Sequence, residues 1–134
     1  MEAWNCVLAV PGITFGPSAD FKLPNGAICA PDASWVSQAR WDALAKGAWS
    51  PYPHLCPDFV VEVMSPSDRI GKSKEKMEEY RMNGPRLGWL VDRKSREVHI
   101  YRPNVPVEML SNPTSVTGDP ELPGFIADLS RVLA

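Results

Sequence analysis

The run PDFVVEV at residues 57–63 constrains the fold of this chain more than any other sequence feature. Its β-branched and aromatic residues predict a central strand, yet the run also carries Asp58 and Glu62. Residues two apart on a strand share a face, so both carboxylates point the same way. A buried carboxylate costs several kcal/mol unless it is paired or binds a cation. Glu62, in mid-strand, therefore needs a partner, whereas Asp58, at the strand entrance, can be solvated.

The segments around this run predict one mixed α/β domain over residues 1–134, with a central sheet flanked by helices. The first ten residues are typical of the end of a helix. The later predicted elements are strands over 12–23 and 26–36, a helix over 37–47, the central strand over 58–65, a helix from about Ser67 or Asp68 to Gly84, strands over 86–92 and 97–103, and a closing helix over 125–134.

The longer of these helices has an expected inward face. Ile70, Lys74, Met77 and the pair Tyr80/Arg81 recur at helical spacing and predict the stripe that packs on the sheet.

Charge is unevenly distributed along the chain. The net charge of −2 argues against a strong nucleic-acid binder, but residues 69–102 hold ten of the fourteen Lys and Arg against five acids. This local balance of +5 could offer phosphates a basic patch. The simpler interpretation is a solvated helix face followed by a charged hairpin turn.

The sequence has no feature of a membrane or secreted protein. No run approaches the roughly 20 apolar residues of a membrane span. The N-terminus carries an acid where a secretory signal has basic residues. We therefore expect a cytoplasmic protein with no membrane partner.

Carboxylates and a lysine can meet at the central strand. Asp32 ends the strand predicted for GAICAPD, and if that strand lies beside PDFVVEV, Asp32 and Glu62 converge. Two carboxylates with open water positions suit Mg²⁺. On the following helix, Lys72, Lys76 and Tyr80 share one face, so Lys76 and Tyr80 can point toward Glu62. The alternative is a buried ion pair of Glu62 with Lys76 or with an arginine, without a metal.

Four segments carry a resemblance to a known family: LPNGAICAPDASWV, CPDFVVEVMSPSDR, KMEEYRMNGPRLGWLVD and EVHIYRP. Over roughly residues 15–130 the chain resembles the Uma-two family of restriction-endonuclease-like proteins, within the PD-(D/E)xK nuclease superfamily. The resemblance implies a restriction-endonuclease-like fold. It also implies endonuclease activity that hydrolyses phosphodiester bonds of DNA with Mg²⁺ or Mn²⁺ as cofactor.

The resemblance also implies which residues act. Asp32, after Pro31, matches the Pro-Asp of the pattern and Glu62 matches its acid, so both are expected metal ligands and catalytic residues. Met64 stands where the pattern has lysine. Lys76 is similar to a lysine that families of this kind carry on the neighbouring helix, and is the third expected catalytic residue.

Five further residues are secondary candidates. Asp58 belongs to a second Pro-Asp, while Tyr80 and Lys74 lie on the helix that carries Lys76. Arg69 and Lys72 are expected to contact nucleic-acid phosphates.

Two departures from the family keep a second function open. Besides Met64, the chain begins inside what resembles the end of the family's first helix, so N-terminal elements of the family are expected to be missing. The alternative is a catalytically inactive nuclease-fold module for binding or assembly. A metal-free acid–base enzyme is the weakest reading, since no histidine lies near the carboxylates in sequence. Nucleases of this type often act as dimers, so a homodimer is a further expectation.

Overall fold

The computed structural model describes residues 11–44, 46–49, 51–130 and 133, without the side chains of Lys46 and Trp49. The helix end predicted for residues 1–10 lies outside these residues. Within them, no helix has the length and apolar character needed to cross a membrane.

Strands dominate the described chain. In order, its elements are β1 (Gly12–Phe15), β2 (Phe21–Lys22), β3 (Ile28–Cys29), β4 (Ala33–Ser37), α1 (Gln38–Asp42), a 3-10 helix (Lys46–Trp49), β5 (Phe59–Val63), α2 (Ile70–Met82), β6 (Leu87–Asp92), β7 (Glu97–Tyr101), β8 (Glu108–Ser111), β9 (Ser115–Thr117) and β10 (Ile126–Asp128).

Six of these strands form the central sheet, in the order β1-β4-β5-β6-β7-β8. Only β5 and β6 pair in parallel; the other neighbours are antiparallel. Helix α2 connects the parallel pair, as a parallel connection requires. The mixed α/β fold and the central position of β5 confirm the sequence prediction.

The two faces of β5 pack against different layers. Phe59 and Val61 belong to a core cluster that includes Phe125 and residues of the β9–β10 segment. Val60 belongs to a second cluster with Met77 and other residues of α2 and the β2–β3 hairpin. Alternate side chains thus serve two cores, and Glu62 shares the face that α2 covers.

A glycine lets α2 lie close to the sheet. A Cβ built on Gly88 of β6 would lie 2.9 Å from Met77 Cε and 3.3 Å from Val60 Cγ2. Met77 and Tyr80 are fully or almost fully buried on this face, as predicted. Ile70 and Lys74, predicted to belong to the same inward stripe, are exposed. That part of the prediction was wrong, because α2 buries side chains only in its later turns, at Met77 and Tyr80.

Helix ends follow their capping chemistry. Ser37 is the N-cap of α1, where its hydroxyl accepts from the Arg40 N–H, as predicted. Helix α2 begins two or three residues later than predicted. It is followed by Gly84 in the left-handed region (φ 94°) and then by Pro85. Helix α1 ends at Asp42, well before the predicted end at Gly47.

Both predicted N-terminal strands are broken in two. The segment 12–23 contains β1 and β2, which lie in different sheets, with Pro17 between them. The segment 26–36 contains β3 and β4, interrupted before Asp32 by Pro31. Proline has no N–H to donate to a strand ladder, which explains each break. Asp32 therefore precedes β4 and does not end a strand, contrary to the prediction.

The predicted closing helix over residues 125–134 was also wrong. Ile126–Asp128 forms β10 and pairs antiparallel with β9. From Phe125 to Leu129, buried and exposed residues alternate, which is the period of a strand rather than of a helix. Residues 131, 132 and 134 lie outside the described part of the chain.

Candidate active site

The pairing of β4 with β5 brings Asp32 and Glu62 together. Ala33 lies opposite Val61 in this antiparallel pair, so one further step of the register sets Asp32 opposite Glu62. Directly opposite residues share a face, with Cβ atoms about 4.5–5.5 Å apart. The Asp32 charge also raises the pKa of Glu62, as expected of neighbouring carboxylates. The strand register and this effect on the pKa therefore place the two carboxylates near each other.

A backbone amide holds the Asp32 carboxylate in place. Its Oδ2 accepts from the Val63 N–H at 2.7 Å, which ties the start of β4 to the end of β5. Among the described residues, its other oxygen, Oδ1, has no hydrogen-bond partner. One lobe of a half-buried carboxylate thus remains available beside Glu62.

Two side chains from successive turns of α2 hold the Glu62 carboxylate. Lys76 Nζ lies 3.2 Å from Oε2, and the Tyr80 hydroxyl donates to Oε1 at 2.9 Å. The Glu62 side chain is only 12% exposed. Spacing i, i+4 on a helix puts Lys76 and Tyr80 on one face, so the sequence prediction that they point together at Glu62 agrees with the structure.

Burial and charge act in opposite directions on Glu62. Burial is the main cause that raises its pKa, and the Asp32 charge adds to the rise, whereas Lys76 and the Tyr80 hydrogen bond lower it. The pKa of Tyr80 is also raised, first by burial and then by the charge of Glu62. Tyr80 therefore keeps its proton and acts as a donor. The net result is a desolvated carboxylate pair that favours additional positive charge.

Asp58 occupies a separate position at the start of β5. It is 2% exposed, which corrects the expectation of a solvated side chain. Its Oδ2 accepts from the Ser37 N–H at 2.8 Å, while Arg40 and Arg86 lie 3.2 and 3.1 Å from Oδ1. Four residues along a strand span about 13 Å, so Asp58 does not join the group around Glu62. Its contacts tie α1, β5 and the segment before β6 together.

The remaining secondary candidates lie on or before α2 and are exposed. Lys74 is two residues from Lys76, hence on roughly the opposite side of the helix, and is not brought to Glu62. Lys72 shares the Lys76 face, one turn nearer the helix start, and lies 3.9 Å from Glu75. Arg69 is the N-cap residue of α2.

Met64 fills a core position. It is 8% exposed and belongs to the cluster formed with α2. The strand position where the resemblance implies a lysine is thus apolar in this chain. The ammonium group near Glu62 comes from α2 instead.

Cys29 is a neighbour of the site that the sequence did not reveal. The charges of Glu79 and Lys76 and the Tyr80 hydroxyl act on its thiol. Burial, followed by the Glu79 charge, raises its pKa, so the thiol is protonated at neutral pH. No local pattern could predict this proximity, because the turn between β2 and β3 meets the C-terminal end of α2 through a tertiary contact, in which the Asn25 N–H donates to Asn83 Oδ1.

The donor set at this site is small and made of oxygen atoms. In the part of the chain that the structure describes, no group of three or more His, Cys, Asp and Glu is placed to hold a metal ion. The pair Asp32 and Glu62 could supply two carboxylates. Magnesium often binds through one or two carboxylates and keeps several waters, whereas zinc sites use nitrogen and sulfur ligands.

Comparison with known proteins gives a family match and a fold match. The sequence matches the family Uma2, described as "Putative restriction endonuclease", over residues 2–130. The fold is similar to the crystal structure of "a putative nuclease belonging to DUF820" from Anabaena variabilis ATCC 29413. That match has a TM-score of 0.74 and 18% identity, and it covers 91% of this chain and 68% of that chain. No curated protein matches the sequence.

Proposed function

Because the chain belongs to the Uma2 family, whose description is that of a restriction endonuclease, we propose that it hydrolyses phosphodiester bonds of DNA with Mg²⁺ or Mn²⁺ as cofactor. The observation that carries the proposal is the meeting of Asp32, Glu62 and Lys76, which come from three separate segments of the chain. This combination of two carboxylates and one ammonium group suits a reaction that moves negative charge onto phosphoryl oxygens.

The residues present fit a divalent cation. Asp32 Oδ1 has no partner among the described residues, and each carboxylate oxygen of Glu62 has a second lone pair. Burial and the Asp32 charge, which raise the pKa of Glu62, oppose its ionised form. A cation held by both carboxylates would relieve this cost. Such an ion supplies a water of lowered pKa and neutralises charge on a phosphoryl oxygen.

The chain's own side chains have separate roles in the proposal. The Lys76 ammonium group orients the attacking water or neutralises charge that develops on the phosphate. Tyr80 fixes the rotation of the Glu62 carboxylate through its hydrogen bond to Oε1. The Val63 N–H does the same for Asp32. Lys76 thus takes the role that the superfamily pattern gives to a lysine at the position of Met64.

The proposal is tested by cleavage of supercoiled plasmid DNA in the presence of Mg²⁺. Glu62→Ala removes a proposed ligand and is expected to lower the cleavage rate by about 100-fold or more. Glu108→Gln, an exposed carboxylate on the edge strand β8, is the matched control and should cleave like the wild type. Cleavage that survives Glu62→Ala would reject the assignment.

A second candidate function is a catalytically inactive nuclease-fold module for binding or assembly. The observation that favours it is that each Glu62 oxygen already has a hydrogen-bond partner within the chain, Lys76 for one and Tyr80 for the other. The two candidates differ in whether the native protein binds a divalent ion at Asp32 and Glu62. A homodimer and a cytoplasmic location stay predictions under either function.

A further inference from the structure

A depression next to the site lies between two loops at one edge of the sheet. It is open to solvent and has a volume of about 520 Å³. One wall is the connection from β5 to α2, with Met64, Asp68 and Ile70. The other wall is the turn between β6 and β7, at residues 92–95.

Strand pairing sets the distance between this depression and the site. Glu62 lies opposite Leu90 in the parallel pair, and the Met64 N–H donates to the Val91 carbonyl at 2.9 Å. Both strands therefore end at the same edge. Lys94 lies four residues beyond Leu90, which corresponds to at most about 13 Å along the strand direction. The depression thus begins at Met64, two residues beyond Glu62.

Five of the ten cations of the basic segment 69–102 pair with nearby carboxylates. Arg81 pairs with Glu78, Arg86 with Asp58, and Arg102 with Glu121. Arg69 and Lys94 have no carboxylate partner among the described residues. Lys94 lines one wall of the depression, and Arg69 lies in the chain between Asp68 and Ile70, which line the other wall.

The acids at the rim have structural roles. Asp68 Oδ2 accepts from the Ser65 N–H at 2.8 Å and closes the turn before α2. Asp92 Oδ1 accepts from the Ser95 N–H at 3.2 Å, and its side chain is buried. Backbone amides thus partly compensate the charges of Asp68 and Asp92. The exposed Arg69 and Lys94 remain available to bind an anion such as a phosphate.

We propose that the depression is the path by which the DNA backbone leaves the candidate active site, with Arg69 and Lys94 each contacting one phosphate. The proposal rests on the proposed function in taking DNA as the ligand. Phosphates on one strand advance by about 3.4 Å along the duplex axis, so a span of about 13 Å reaches about four nucleotides beyond the cleaved bond. The β6–β7 turn is then a substrate contact rather than only a hairpin connection.

Salt dependence of binding tests this path. Affinity for a fluorescein-labelled duplex of about 30 base pairs is measured by anisotropy in EDTA, which prevents metal-dependent cleavage, at several KCl concentrations. Each lost phosphate contact should make the slope of log K against log[KCl] shallower by about 0.9. We expect this change in slope for Lys94→Gln, with about threefold to tenfold weaker binding. In the double variant Lys94→Gln/Arg69→Gln, the slope should become shallower by about 1.8, because two contacts are lost.

Arg96→Gln is the matched control from the same turn. Its guanidinium lies 3.4 Å from Asn112 Oδ1, toward the neighbouring hairpin, so the variant changes net charge equally without loss of a proposed contact. Its slope should equal that of the wild type. A Lys94→Gln slope equal to that of Arg96→Gln overturns the inference, as does a wild-type protein that does not bind the duplex.

Cleavage separates this inference from the proposed function. If Lys94→Gln changes the salt slope as expected but the wild type does not cleave, the path is supported and the nuclease activity is rejected. If the wild type cleaves through Glu62 but Lys94→Gln binds like the control, the activity is supported and the path is rejected. With both supported, Lys94→Gln should raise KM while kcat stays unchanged, because the residue does not touch the reacting atoms.

Discussion

Glu62 is the residue at the centre of the candidate active site. Its carboxylate is buried, lies beside a second carboxylate, and receives one ammonium group and one phenol. The sequence could predict Glu62, Lys76 and Tyr80 from strand and helix periods, whereas it could predict Asp32 only through an assumed pairing of two segments. It could not predict that Lys76 and Tyr80 each bind a different oxygen of Glu62, since that depends on how closely α2 packs on the sheet.

The titration of Glu62 gives a test at this scale. In metal-free protein, Asp32→Asn should lower the pKa of Glu62, because the Asp32 charge raises it. Tyr80→Phe should raise the pKa further, because the lost hydrogen bond stabilises the ionised form. Carboxyl ¹³C NMR titration measures both. An unchanged Glu62 pKa in Asp32→Asn would mean that the carboxylates are too far apart to share an ion.

Asp58 gives a contrasting prediction, because its role is structural. Asp58→Asn removes the charge that Arg40 and Arg86 share and weakens acceptance from the Ser37 N–H. We expect the free energy of unfolding to fall by about 1–3 kcal/mol. This loss is smaller than the loss caused by breaking a fully buried ion pair, because both arginines are partly exposed. Urea denaturation measures it.

The control for Asp58 is Asp42→Asn on the exposed side of α1. Asparagine can still accept from Gln38 there, so the expected change is within about 0.5 kcal/mol. Equal effects of the two substitutions would contradict the role assigned to Asp58.

At the scale of elements, the contact between α2 and β6 decides whether Lys76 and Tyr80 reach Glu62. Gly88→Ala places a methyl group 2.9 Å from Met77 Cε and 3.3 Å from Val60 Cγ2. The expected cost is about 1–3 kcal/mol of stability, with a lower DNA cleavage rate because α2 must shift away from the sheet. Thermal unfolding and plasmid cleavage measure the two effects.

Gly71→Ala is the matched substitution in the first turn of α2. Apart from its chain neighbours and the backbone of its own helix, no atom of the described residues lies within 4 Å of a Cβ at this position, so alanine should raise helix stability by about 0.5–1 kcal/mol. If Gly88→Ala proved as harmless as Gly71→Ala, the close packing of α2 would not be what positions the site.

The elements also show where sequence patterns are sufficient. Strand β5 and helix α2 could be predicted because each has its own period over a long segment. The breaks at Pro17 and Pro31 were missed because apolar residues continue on both sides of each proline. The last segment was read as a helix, yet Ala127 packs into the core opposite β9, a tertiary contact that local propensity does not contain.

For the whole molecule, the family could be predicted from four motifs in order, and the match over residues 2–130 confirms it. The mixed fold followed from the same order of elements and agrees with a solved structure of TM-score 0.74. The path proposed for DNA could not be predicted. The path depends on which of the fourteen basic residues have a carboxylate partner, and those pairs exist only in the folded chain.

Binding of a divalent cation by the pair of carboxylates tests the central claim most directly. We expect Mg²⁺ or Mn²⁺ to raise the melting temperature of the wild type by several degrees, because a ligand that binds only the native state stabilises it, and about 1 kcal/mol corresponds to about 2–8 °C. The rise should be absent in Asp32→Asn and in Glu62→Gln. A wild-type protein without the rise, or variants that keep it, would contradict a cation site at Asp32 and Glu62.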